Sequence, residues 1–162
     1  MTTFVVLLAT EGSVWAGGLD FTGLREVAVQ KDGRKKPLDT VALETVQKLT
    51  GKRWFTDPDT GRKMPAVEVL VSMWLEARDW SDAPVVLVSY KPLKAHLGLP
   101  ADTKYFSYRQ LATPALEQLL RLPAGKGRKS GLQNEADVVH QRLRILIGAV
   151  GPDALPVVPH PN

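Results

Sequence analysis

The sequence contains no cysteine. Disulfides, thiolate nucleophiles, cysteine-zinc centres and covalent haem attachment through C-x-x-C-H are therefore excluded for this chain. Histidine is scarce as well. His96, His140 and His160 are the three present, and none has a metal-type partner at i+3 or i+4. Long apolar runs are missing too. A bilayer span needs about 20 consecutive apolar residues, and the longest candidate, Ile145–Val150, is far shorter and follows Arg142 and Arg144. There is no G-x-S-x-G, no H-E-x-x-H, and Gly125-Lys126-Gly127 lacks the spacing of a phosphate-binding loop. Asp57 and Asp59 sit among turn residues, where aspartate is expected for turn reasons. With no nucleophile beside a recognisable base, the sequence does not argue for an enzyme.

What is present suits one domain. The chain has 162 residues, 44% of them hydrophobic and 23% charged, enough apolar material for a core and too little charge for global disorder. The net charge of +4 is mild for a nucleic-acid-binding module. Two basic clusters stand out, Arg34–Lys36 and Lys126–Lys129. Residues 1–17 form a separate N-terminal piece. Phe4–Ala9 followed by Val14-Trp15-Ala16-Gly17 reads either as an export signal, weakened by Glu11 and the lack of early basic residues, or as a strand or frayed terminus. Residues 18–152 read as a single globular domain, and 153–162 as a proline-rich tail in which Leu155–Val158 could add a short strand.

The domain is organised around Val27–Lys52. Val27–Gln30 reads as a short strand, Lys31–Lys36 as a basic turn with Gly33 taking positive φ, and Pro37 as the first helical residue. Leu38, Val41, Ala42, Thr45, Val46 and Leu49 then recur on one helical face, which Gly51 terminates. A basic loop thus feeds a helix N-terminus. Gln30, Arg34, Lys36, Asp39 and Thr40 are the candidate site for an anion or an acidic partner, with the helix amides as additional donors. Haem propionates, lipid phosphates or a carboxylate-bearing partner all fit. The structural alternative is that Arg34 and Lys36 lay their stems over neighbouring strands, while Asp39 and Thr40 close the first turn.

Further along, Lys52–Met64 reads as a polar loop carrying Trp54 and Phe55, with the aromatics folded back on the core. A helix from Pro65 to about Asp79–Ser81 places Val67, Leu70, Val71, Trp74, Leu75 and Arg78 at helical spacing, with Trp74 in the core. Val85–Ser89 reads as a buried strand and Pro92–Leu97 as a short helix. Ser107 and Thr113 are predicted N-caps for Tyr108–Leu111 and for a helix from Pro114 to Arg121. The last helix is predicted over Asn134–Val150, with His140 on its apolar face as a core-edge histidine. No internal repeat is apparent. The class is α+β, mostly helical, with about four helices and a small two- or three-stranded sheet.

One segment carries a resemblance. Leu24-Arg25, Ala28-Val29-Gln30, Gly33-Arg34 and Pro37-Leu38-Asp39-Thr40, with Lys36 before the proline and Leu49-Thr50-Gly51-Lys52 closing the helix, resemble the extracytoplasmic region of CcsA/ResC-type (system II) cytochrome c biogenesis proteins. The likeness is tight over Leu24–Lys52 and looser over Leu19–Pro159. It implies a non-catalytic extracytoplasmic module of cytochrome c assembly, concerned with haem delivery or apocytochrome handling, on the periplasmic side of the cytoplasmic membrane. The implied partners are ResB/CcsA-like membrane proteins and apocytochrome c, with peripheral membrane contact. The family's membrane helices, haem-ligating histidines and tryptophan motif have no counterpart in this sequence; Trp74 and Trp80 do not match that motif. No cofactor is thus expected in this chain, haem being reached through the membrane partner. The rival readings are a basic nucleic-acid-binding module using Arg34–Lys36 and Lys126–Lys129, and a small enzyme with an unrecognised pocket.

Overall fold

The computed structural model describes residues 20–31, 33–123 and 129–154. The N-terminal piece 1–17, most of the second basic cluster, His160 and the tail strand expected at 155–158 lie outside the described residues.

Strand β1 (Ala28–Lys31) pairs antiparallel with β2 (Arg34–Pro37). Lys31 is opposite Arg34, which leaves a two-residue hairpin loop with Gly33 at φ +73°. The expected basic turn over Lys31–Lys36 is therefore corrected: the basic triplet is itself a strand. Pro37 ends β2 with extended ψ (143°) and serves as N-cap of helix α1 (Leu38–Thr50), which thus begins one residue later than expected. All six predicted inward residues of α1 are buried, and Gly51 closes the helix at φ +72°.

The next segment repeats this plan. Strands β3 (Trp54–Thr56) and β4 (Lys63–Pro65) form a second hairpin, and helix α2 (Ala66–Trp74) starts directly from Pro65. Gly33-Arg34-Lys35-Lys36-Pro37 recurs as Gly61-Arg62-Lys63-Met64-Pro65, differing only at Lys36 and Met64. Gly61 is again at positive φ, and each proline again caps a helix from the end of a strand. The chain thus contains a tandem pair of hairpin–helix units, contrary to the expectation of no repeat. Their helices pack against each other. The polar loop expected over Lys52–Met64 shrinks to the turn between β3 and β4. Strand alternation buries Phe55 and leaves Trp54 39% exposed.

Helix α2 stops at Trp74 rather than near Asp79–Ser81, and Glu76 takes φ +49° just beyond. Leu75 and Arg78 consequently leave the helical face. Trp74 is half-buried, its Nε1–H donating to the Pro152 carbonyl at 2.8 Å. The deep tryptophan is Trp80, 1% exposed and tilted against Phe55 at 5.7 Å.

Strand β5 (Val86–Leu87) pairs antiparallel with β6 (Tyr105–Phe106), a shorter element than the expected Val85–Ser89. Helix α3 (Lys91–His96) lies between them. Ser107 caps α4 (Tyr108–Leu111) in a capping box with Gln110, and Thr113 caps α5 (Pro114–Arg121), both as expected. Helix α6 (Gly131–Ile147) begins earlier than Asn134, because Ser130 and Gln133 form another capping box. It packs on α1, α3 and α5.

The class is α+β and mostly helical. Its strands form three separate two-stranded antiparallel sheets among the described residues, not one small sheet. One apolar cluster runs through both hairpin–helix units and α6, with Val29, Val46, Leu49, Leu70, Met73 and Leu146 at most 2% exposed.

Candidate functional site

The first hairpin sorts the predicted site residues by strand alternation. Val29, Lys31, Arg34 and Lys36 share one face, and Gln30 with its partner Lys35 lies on the other. The structure therefore does not bring Gln30 together with Arg34 and Lys36. Lys36 sits opposite Val29, and its Nζ reaches both oxygens of Glu44 on α1 at 2.8 and 2.9 Å. Asp39 accepts from Arg25 Nε at 3.1 Å. The amides of Leu38 and Asp39 donate to the carbonyls of Val27 (2.8 Å) and Arg25 (3.0 Å). Those two orphan donors of the helix start are thus satisfied by the chain itself. The expectation that the first turn offers its amides to a ligand is corrected to that extent.

The tandem repeat supplies an internal comparison. In the second unit, Arg62 pairs with Glu68, the third residue of α2. In the first unit the corresponding positions are Arg34 and Thr40, the third residue of α1. Thr40 has no carboxylate to offer. Both Arg34 and Thr40 are exposed, and among the described residues Arg34 makes no ion pair. The same motif is therefore closed by a carboxylate in one copy and left open in the other. Lys36 departs in the same sense. Its counterpart Met64 is a buried apolar residue, whereas Lys36 brings a charge to the α1 surface.

Beside this hairpin, a groove of about 450 Å³ runs between α1 and α6. Its floor is Val41, Thr45, Leu70 and Ala149, all buried. Its walls carry Lys31, Lys48, Arg144 and His140, and among the described residues Glu44, already held by Lys36, is the one acid that lines it. An apolar floor under a cationic rim suits a partly apolar group bearing a carboxylate or phosphate. The volume lies in the range of small-molecule sites, and Lys31, cross-strand partner of Arg34, joins it to the hairpin. Helical periodicity misassigned His140, expected at the edge of the core. It is exposed on the groove wall, while Val139 and Leu143, expected on the same inner face, are buried.

Among the described residues there is no cluster of three or more histidine, aspartate or glutamate side chains that could hold a metal. No described helix is long and apolar enough to cross a membrane.

No family model matches the chain. Protein NrfI of Wolinella succinogenes is 29% identical to it over 133 residues, covering 77% of this chain and 14% of NrfI. The chain therefore spans a small part of the length of this relative.

Sequence reasoning named the hairpin arginine as a candidate and did not point to the groove. Glu44, Lys48 and Arg144 look like ordinary polar positions of amphipathic helices until α1 and α6 are set side by side. The recurrence of Gly-Arg-Lys-x-Pro was a signal present in the sequence. It would have drawn attention to Thr40 and Lys36 as the positions where the first copy departs from the second.

Proposed function

We propose that this chain is a non-catalytic module of cytochrome c maturation that works by contact, on the extracytoplasmic side of the membrane. The observation that carries the reading is its likeness to Protein NrfI over 77% of the chain. That likeness supports a place in cytochrome c maturation; the resemblance of Leu24–Lys52 to system II assembly proteins supports the finer assignment. The module contacts a partner, a ResB/CcsA-like membrane protein or apocytochrome c, through the exposed Arg34 end of the first hairpin and the adjoining groove. Arg34 supplies the exposed guanidinium, Thr40 a hydroxyl, and Lys31, Lys48 and Arg144 the cationic rim. These groups bind and orient a carboxylate or propionate-bearing surface; none has the arrangement of a nucleophile with its base. Haem belongs to the partner in this reading, and no cofactor is assigned to the chain.

The test is an affinity capture with the full chain on detergent-solubilised membranes of its source, read by mass spectrometry beside Arg34→Ala. Recovery of cytochrome c assembly proteins or apocytochrome c, lost in the variant, is the expected result. Recovery of ribosomal or DNA-binding proteins instead would overturn it.

A further inference from the structure

Trp54 stands apart from the first hairpin, beyond the other end of α1. That helix has 13 residues, so the two ends are about 20 Å apart. The segment that holds Trp54 is fixed from inside. The buried Thr50 hydroxyl accepts from the Lys52 amide at 3.0 Å and lies within 2.9 Å of the Val46 carbonyl, and Tyr105 Oη donates to the Thr50 carbonyl at 3.1 Å. From this base Trp54 projects outward on β3. Lys52 Nζ lies 5.9 Å from its ring centre and 5.7 Å from that of Tyr105; Lys63 Nζ, from β4, lies 5.5 Å from the Trp54 ring. Residues 52–56 and 63–65 carry Lys52, Arg53 and Lys63 and no acid. None of these cations is in an ion pair among the described residues. The adjoining cleft, about 60 Å³, is too small for a ligand of its own, so the feature is a surface.

We infer that this patch is a docking surface for an anionic lipid headgroup layer. An indole presenting an apolar body with a polar edge, ringed by lysines, is the composition that settles at the membrane–water interface. Unpaired lysines and arginine supply the attraction to anionic headgroups. Single-stranded nucleic acid would also favour aromatic and basic residues together. It requires open ring faces for base stacking, and here ammonium groups lie over the indole. The inference does not rest on the cytochrome c reading.

The test is co-sedimentation of the full chain with vesicles of phosphatidylglycerol and phosphatidylcholine in equal parts, beside pure phosphatidylcholine. Binding to the anionic vesicles alone, weakening with salt, is expected. Lys52→Gln and Lys63→Gln, surface changes that spare the core, should each weaken it about fivefold. Trp54→Ala should also release the protein while its circular dichroism stays that of the parent. No binding to anionic vesicles at low salt would overturn the inference, as would equal binding by all three variants. Displacement from vesicles by a single-stranded oligonucleotide would overturn it in favour of nucleic acid.

Discussion

Arg142 of α6 donates its Nε–H to the carbonyl of Lys48, in the last turn of α1, at 3.0 Å. Its Nη1 donates to the Leu87 carbonyl of β5 at 2.6 Å. The guanidinium thus joins three elements far apart in sequence by resting on backbone carbonyls, with no carboxylate in an ion pair with it among the described residues. Lys94 does the same at a smaller scale, donating to the carbonyls of Ala101 and Thr103. Burial lowers the Arg142 pKa, opposed by Glu135, and the group stays a cation that suits the negative end of α1. Arg142→Lys keeps the charge but loses the fork that reaches both carbonyls. We expect it to cost about 1–3 kcal/mol, measured by urea unfolding. A change within error would show that water replaces the guanidinium without loss.

Gly51 is fixed by two constraints at once. Its φ of +72° disfavours any L side chain, and a Cβ there would stand 2.9 Å from Leu87 Cδ2. The left-handed conformation alone costs a non-glycine residue about 1–2 kcal/mol, and the contact makes Leu87 move. Gly51→Ala should therefore lower stability by at least that amount. Gly33→Ala meets no atom within 4 Å and should show the conformational term alone. Equal losses in the two variants would remove the contact with Leu87 from the account.

Asp57 ties the second hairpin to the segment after α2. Burial raises its pKa, but the hydrogen bonds from Arg78 (3.0 Å), the Asp59 amide (3.2 Å) and Thr60 (3.0 Å) outweigh it, so the carboxyl titrates below its ordinary value. A depressed folded pKa adds stability that is complete above the unfolded value, about 3.9, and disappears as pH falls through the folded value. Asp57→Asn should be less stable at neutral pH, on the order of 1–3 kcal/mol, with the gap to the parent closing below about pH 4. A gap that persisted at low pH would assign the loss to packing.

Much of the fold was legible because local rules and tertiary packing agree. The inward face of α1, the Ser107 and Thr113 caps and the Gly51 stop all follow from spacing and from side-chain chemistry at helix ends. Ser130 with Gln133 was equally legible as a capping box, but the preceding glycines and lysines drew the start of α6 towards Asn134. The hairpins were harder. Arg34-Lys35-Lys36 has no strand propensity to speak of; only pairing with Val29 and Gln30 makes it a strand. The groove was illegible for another reason. It exists only where α1 and α6 meet, and periodicity describes one helix at a time. His140 illustrates this, since it borders the apolar face of α6 and yet lines the groove wall, exposed.

The two hairpin–helix units make the role of Arg34 separable from the stability of the fold. Glu68 closes the second unit by pairing with Arg62, and Thr40 occupies its position in the first. Thr40→Glu would give Arg34 an internal carboxylate of the same kind. The change also puts an acid in the first turn of α1, where the helix dipole favours it by about 0.3–1 kcal/mol. The variant should therefore be as stable as the parent or slightly more so. If Arg34 serves an external anionic group, the same variant should lose its partner in the capture experiment as completely as Arg34→Ala, because the new carboxylate occupies the guanidinium. Thr40→Gln, of similar size and uncharged, should retain the partner. Stability unchanged and partner retained in Thr40→Glu would instead mean that the open arginine is only a solvated surface charge. Binding would then fall to the groove cations Lys48 and Arg144.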